Sequence, residues 1–295
     1  MKYYFIWGMG LLGASLAIDL KNKGHGVAGC VRSKKNADYL KEQGIADVFT
    51  VDDVDGIASA LKRSDGVIIG TPVDKIPEIL DFLANVQFSN WVTDMASTKA
   101  EIMRHAIHRE KKLLFVGSHP MAGSDLAGPQ NGRPNLFAGA TIYITAAKEL
   151  EEEFGSETYE PAVAEISRFW SDLNANTYMV DYADHDKWAA YLSHGLHLVA
   201  CMVSHLLEDI PGVFKVPFNP AGGSFRDITR VAGSNPALWD GIIRSNSDEV
   251  KNYLQSLQNL VCQWNEKMQN NELDIENIFK DAAEIRNRII KLNDE

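Results

Sequence analysis

The sequence predicts an α/β fold: a doubly wound, mostly parallel sheet in the N-terminal half, joined to an all-helical C-terminal domain. Three observations predict it. The first half alternates short apolar runs with helical patterns, the rhythm of strands joined by crossover helices. From about Asp184 long helical stretches take over, with few strand-like alternations. Between the first strand and the first helix lies a glycine-rich turn, Gly8-Met9-Gly10-Leu11-Leu12-Gly13. At 295 residues the chain is long for one core, so two domains are expected, 1–181 and 182–295.

The expected strands are Tyr3–Trp7, Gly26–Val31, 66–70, 91–95, 113–117, Thr141–Thr145 and a last short one at 177–181. Amphipathic helices are expected at 13–23, 37–43 and 161–173, and the acidic run 149–153 reads as a solvated helix start. In the C-terminal half the helical patterns cover 185–207, 235–269 and 273–292, broken by the Pro- and Gly-punctuated loop 211–219. No appended regulatory domain is expected.

Composition excludes several function classes. Hydrophobic residues make up 45% and charged residues 23%, ordinary values for a folded globular chain. A formal net charge of −11 argues against nucleic acid or an anionic membrane as partner, and leaves a small anionic substrate open. The three cysteines Cys30, Cys201 and Cys262 form no CxxC pair and read as reduced thiols of a cytoplasmic protein. The N-terminus lacks the h-region of a signal peptide, and no stretch approaches the ~18 consecutive apolar residues of a membrane helix.

The glycine turn follows a strand and opens a helix carrying Ala14, Leu16, Ala17 and Leu20, the context in which such a turn binds a dinucleotide. Gly8 permits the tight turn, Gly10 lets the backbone approach a pyrophosphate, and Gly13 allows close helix–strand packing. The N-terminal domain is therefore Rossmann-like. At the end of the second strand, where a site for NAD carries a carboxylate, the sequence has Cys30-Val31-Arg32-Ser33-Lys34-Lys35. Arg32 and Ser33 suit a 2′-phosphate, which predicts NADP in preference to NAD. The alternative is that these basic residues form a solvated turn. Gly70-Thr71-Pro72, at the carboxyl edge of the sheet, places Thr71 and Pro72 on the nicotinamide side.

The strand at 113–117 runs into Ser118-His119-Pro120-Met121-Ala122-Gly123-Ser124-Asp125. A histidine just past a strand end on the ligand edge suits acid–base work, because its ordinary pKa lies near neutrality. A neighbouring strand end supplies Asp94, Ser97 and Lys99; Ser97 suits orientation of the imidazole, and Lys99 suits capping or neutralising nearby charge. His194 and His197, three residues apart on a helix, have no evident third partner for a metal.

With these segments, His185-Asp186, Gly222 to Arg230, Ser234-Asn235-Pro236 and Trp239, the sequence resembles the prephenate dehydrogenase family, which includes arogenate and cyclohexadienyl dehydrogenases. The resemblance spans almost the whole chain. It implies oxidative decarboxylation of prephenate to 4-hydroxyphenylpyruvate with hydride transfer to NAD(P), or arogenate as the alternative substrate. It further implies His119 as the base that takes the hydroxyl proton, and Ser97 as the serine bonding that histidine beside the nicotinamide. Arg230 would bind a substrate carboxylate, Asp227 would steady Arg230, and His197, Trp239, Ser124 and Asp125 would line the substrate pocket. Asp227 and Arg230 also read as an ordinary helix pair, and Trp239 as core. Many relatives carry Pro before the second helical histidine, where this chain has Ser193-His194-Gly195-Leu196-His197. At Asp125 some relatives have Glu and others a neutral residue, and an acidic group there favours the ammonium of arogenate. The helical half implies a homodimer. Two rivals are a β-hydroxyacid or imine reductase, which would place a catalytic Lys on a C-terminal helix, and a silent NADP sensor.

Overall fold

The computed structural model describes residues 1–123, 126–216 and 219–291. Five strands form one parallel sheet in the order β3-β2-β1-β4-β5: β1 (Tyr3–Trp7), β2 (Gly26–Val31), β3 (Asp47–Thr50), β4 (Gly66–Ile69) and β5 (Trp91–Asp94). Helices α1 (Leu11–Asn22), α2 (Lys34–Glu42), α3 (Val54–Leu61), α4 (Ile76–Asn85) and α5 (Ala100–His108) complete the crossovers. β1 and β4 are buried along almost their entire length, which is why they read as unbroken apolar runs and not as alternations. The chain leaves β1 for β2 and β3, then crosses back to β4 on the other side. The loops after β1 and β4 therefore part at the carboxyl edge and open the crevice where such sheets bind ligands.

A second sheet of three strands, β6 (Gly117–Pro120), β7 (Thr141–Thr145) and β8 (Asn176–Met179), has β6 antiparallel to β7 and β7 parallel to β8. It departs from the sequence expectation at 113–117. The apolar part of that run makes only a bridge to β5, through Val92 and Phe115, before the chain turns into β6. At Gly117 a Cβ would lie 2.4 Å from the Thr145 hydroxyl, and that close approach carries the chain from one sheet to the other. His119 thus sits inside a strand and not beyond its end. Helices α6 (Lys148–Phe154) and α7 (Ser156–Ser171) precede β8; Tyr159 and Trp170 from α7 are among the largest buried side chains.

Asp181 then caps α8 (Tyr182–Ala189) through Ala183 N–H at 2.8 Å. A single π turn, Ala190–His194, joins α8 to α9 (Gly195–His205). The run Tyr182–Asp209, at mean hydropathy 1.2, is long and apolar enough to cross a membrane. Its buried His185, Asp186 and His194, however, are committed to hydrogen bonds within the protein. Next come α10 (Gly223–Thr229), a 3-10 turn at Arg230–Gly233, α11 (Pro236–Ser245), α12 (Ser247–Gln269) and α13 (Ile275–Lys291). The continuous helix expected at 235–269 is broken at Asn246, whose side chain is buried and hydrogen-bonded. By contacts the chain forms two compact units, Met1–Val250 and Lys251–Glu295. The second leaves Val261, Trp264, Met268, Phe279, Ile285 and Ile289 exposed.

Candidate active site

At the nucleotide edge the three glycines differ in how much room they leave. Gly8 has φ +96°, and a Cβ there would meet Thr71 Cγ2 at 2.8 Å. Gly13 packs α1 so close to the turn that a Cβ would lie 2.4 Å from the Gly8 carbonyl oxygen. Around Gly10 nothing lies within 4 Å of an added Cβ, which leaves room for a phosphate against the backbone. Gly10 begins α1 with no side-chain cap, so the N–H groups of Leu11, Leu12 and Gly13 face the crevice at the positive end of the helix. Met9 is buried beneath the turn, and the Gly8 and Met9 N–H groups both donate to the Cys30 carbonyl, at 3.1 and 3.2 Å. The Thr71 hydroxyl is buried and, among the described residues, has no hydrogen-bond partner; Pro72 beside it is exposed. An orphaned donor and an open phosphate cradle fit a nicotinamide dinucleotide. At the end of β2, Arg32 and Ser33 are exposed, and the Ser33 oxygen accepts from Asn36 N–H to cap α2.

The centre of the site is a chain of three side chains from two elements. His119 on β6 and His185 on α8 meet at 2.8 Å, Nδ1 to Nε2, and His185 Nδ1 lies 2.7 Å from Asp186 Oδ1. Asp186 also accepts from the backbone N–H groups of Lys99 at 2.7 Å and Ala100 at 2.9 Å. These begin α5, which has no cap of its own, so the carboxylate of a distant residue serves as the cap and sits in the favourable field of the helix end. All three side chains are buried. Burial pushes the His119 imidazole well below its ordinary pKa, and His185, Lys99 and His194 push the same way. Among the described residues, His119 Nε2 has no hydrogen-bond partner. His119, Met121, Tyr143, His185, Trp188 and Leu192 line a narrow, open cleft.

Below His119, the Asp94 carboxylate at the end of β5 accepts from Ser118 N–H at 3.1 Å and from Ala96 N–H at 3.0 Å, and pairs with Lys99 Nζ. Lys99 is wholly buried; desolvation lowers its pKa while Asp94 opposes that shift. Of the two roles expected of Lys99, the geometry is that of charge neutralisation: it pairs with Asp94, which in turn holds β6 through Ser118 N–H.

The outer part of the site comes from the helices. Asn246 Nδ2 donates to the Asp186 carbonyl at 2.7 Å and meets His194 Nδ1 at 3.1 Å. Burial is the main reason that the His194 pKa falls to about 4. His197 stacks on Trp239 with ring centroids 3.6 Å apart, and its Nδ1 donates to the Ser193 carbonyl at 2.9 Å. The pKa of His197 is lowered, mainly by burial, and the Arg230 guanidinium is near enough to add to the effect.

Not every expected pairing is present. His185 and not Ser97 holds His119: Ser97 is half-buried at the end of β5, and no hydrogen bond joins it to the imidazole among the described residues. No ion pair joins Asp227 to Arg230 among the described residues either; both are exposed, where such a pair gains little. Trp239 is half-buried against His197 instead of being core. Ser124 and Asp125 lie outside the described residues. His185, Asp186 and Asn246 had no assigned chemistry in the sequence, because the contacts that give them one cross 66, 86 and 60 residues.

Comparison with known proteins identifies the family. Residues 16–179 match the family model described as the prephenate dehydrogenase nucleotide-binding domain, and residues 181–282 match the prephenate dehydrogenase dimerization domain. A prephenate dehydrogenase of Bacillus subtilis is 31% identical over 248 residues, which are 82% of this chain and 64% of that protein. This chain thus spans under two thirds of that relative's length. The solved Synechocystis arogenate dehydrogenase is 26% identical with a TM-score of 0.79, covering 97% of this chain and 99% of that one. A prephenate dehydrogenase from A. aeolicus, solved with hydroxyphenyl propionate and NAD+, shares the fold at 24% identity and TM-score 0.83, covering 98% of both chains. A glycine cradle beside a buried imidazole, on a chain matched by both domain models, leads to one conclusion: this chain belongs to the prephenate dehydrogenase family.

Proposed function

We propose that this chain is a prephenate dehydrogenase that oxidatively decarboxylates prephenate to 4-hydroxyphenylpyruvate. The observation that carries the reading is His119, buried in the cleft wall with Nδ1 held by His185 and Nε2 without a partner among the described residues. Its lowered pKa keeps it unprotonated at neutral pH, the form that can accept a proton. Nε2 takes the proton of the ring hydroxyl, the carbon beneath it gives up hydride, carbon dioxide leaves as the ring becomes aromatic, and the ring oxygen takes the proton back. Gly8 to Gly13, Thr71, Pro72 and Ser97 would hold a nicotinamide dinucleotide, which supplies the hydride acceptor. Arg32 and Ser33 at the end of β2 favour NADP over NAD, since no carboxylate stands there to take a ribose hydroxyl. His197, Trp239 and Arg230 form the carboxylate-binding side, where a guanidinium suits bidentate pairing. Ser97, free of protein partners among the described residues, is available to the substrate hydroxyl or the nicotinamide.

We take residues 1–181 as the nucleotide-binding domain and 182–295 as the substrate-binding and dimerisation domain of a cytoplasmic homodimer. The exposed Trp264, Met268 and Phe279 support the last point, since apolar side chains on long helices need cover. Arogenate is the second reading, favoured by the likeness to the Synechocystis enzyme. The test is spectrophotometric: reduced cofactor formed with prephenate and with arogenate, by wild type and His119→Asn. The expected result is turnover with prephenate and a fall of about 10²–10⁴ in kcat for the variant. No wild-type turnover with either substrate overturns the assignment.

A further inference from the structure

We propose that Asp186 and His185 form a proton relay that sets the tautomer of His119 and takes up the proton His119 removes. The inference rests on His119 being the base of the proposed reaction, and it assigns chemistry to two residues that the proposed function leaves without a chemical step.

Proton positions follow from what each group can do. An ionised carboxylate only accepts, so across 2.7 Å His185 Nδ1 carries the hydrogen. In neutral His185 that leaves Nε2 as the acceptor, so across 2.8 Å the hydrogen lies on His119 Nδ1. His119 Nε2 then has a lone pair facing the cleft, the form a base requires. Asp186 cannot turn away, because Lys99 N–H and Ala100 N–H hold its carboxylate at the start of α5. One acidic residue thus dictates, two hydrogen bonds away, which nitrogen of His119 is free.

The same chain answers a difficulty in the chemistry. A charge left on His119 would be buried, with Lys99, His185 and His194 all opposing it. In the relay the substrate O–H proton goes to His119 Nε2 as the hydrogen on His119 Nδ1 passes to His185 Nε2. The O–H and Nδ1–H bonds break and two N–H bonds form, so no extra proton is needed. The positive charge ends on His185, 2.7 Å from the Asp186 carboxylate, instead of on His119. When carbon dioxide leaves, its bonding electrons aromatise the ring and put negative charge on the ring oxygen. The proton then returns by the same path to Nε2 and onto that oxygen, so the phenol forms with no net proton released.

The test uses the full chain and two readouts. Ring ¹⁵N NMR of His119, without ligands at neutral pH, is expected to show a protonated Nδ1 and a bare Nε2. A hydrogen on Nε2 overturns the proposal, whether or not the protein turns over prephenate. In kinetics, His185→Leu, which keeps the Asp186 cap on α5, is expected to lower kcat about 10²–10⁴-fold with KM for prephenate changed little. His185→Gln offers an oxygen to His119 Nδ1–H but takes up no proton, so it keeps the tautomer and stays below wild type in kcat. If His185→Leu stays within threefold of wild type, or His185→Gln equals it, the relay is wrong. If wild type has no turnover while the NMR shows the expected tautomer, the substrate assignment fails and the proton arrangement stands.

Discussion

His194 makes the protein sensitive to mild acid in a way that can be worked out. Its Nδ1 faces Asn246 Nδ2 at 3.1 Å, and the other hydrogen of that amide goes to the Asp186 carbonyl at 2.7 Å. Protonating Nδ1 would set donor against donor, and flipping the amide would set oxygen against the Asp186 carbonyl. The folded-state pKa of about 4 lies below the ordinary 6.5, so the unfolded chain binds this proton first. The stability is therefore complete above pH 6.5 and is lost as the pH falls toward 4. Between pH 7 and pH 5 this one group removes about 2 kcal/mol. His119, lowered in the same direction, adds to the loss. With a urea dependence of about 3 kcal/mol/M, the His194 share is a fall of roughly 0.6 M in midpoint. Urea unfolding of wild type and His194→Gln at pH 7 and pH 5 separates it from carboxylate titration, which both share. Wild type should lose roughly 0.6 M more than the variant. Equal losses would refute the reasoning and show that His194 is reached by water.

The glycine turn and the cofactor preference give two more tests. Gly13→Ala would force a Cβ to 2.4 Å from the Gly8 oxygen, so it should cost about 1–3 kcal/mol in calorimetry and also raise the cofactor KM. Gly10→Ala meets no protein atom within 4 Å, so it should raise the cofactor KM about tenfold with little change in Tm. An unchanged KM in Gly10→Ala would show that no phosphate passes there. Arg32→Ala should lower the ratio of NADP to NAD efficiency by roughly 10–100-fold, the worth of a charge-assisted hydrogen bond. A wild type that prefers NAD would remove Arg32 from that role.

What the sequence revealed, and what it hid, follows from the range of the interactions. β1 and β2 occupy the expected residues, because strands buried on both faces announce themselves as apolar runs. β3 gave no such signal: it has four residues, is mostly half-buried and lies at the sheet edge. The apolar run at 113–117 was visible, but it marks the bridge to β5, and the strand that carries the base is Gly-Ser-His-Pro. Within the site the glycine turn is local and its geometry was legible glycine by glycine. His119 and His197 were marked by their motifs. The partner of His119 was not, since no local pattern ties a histidine to another 66 residues away.

Asp186 shows why such a residue matters more than its motif suggests. One side chain caps α5 and, through His185, sets the state of His119; its own carbonyl holds Asn246, which in turn holds His194. The strand end bearing Ser97 is tied to the same helices a second time, by Thr98 Oγ1 to Ser245 Oγ at 3.0 Å. The base and the loop proposed to face the nicotinamide are thus located by one set of hydrogen bonds, not by two independent ones. A transfer of proton and hydride from adjacent atoms needs that shared reference, because misplacing either group by about 1 Å is enough to cost on the order of 10²-fold in rate. On the proposed reading, the helices from residue 182 to 250 are therefore part of the catalytic framework as well as a wall for the substrate.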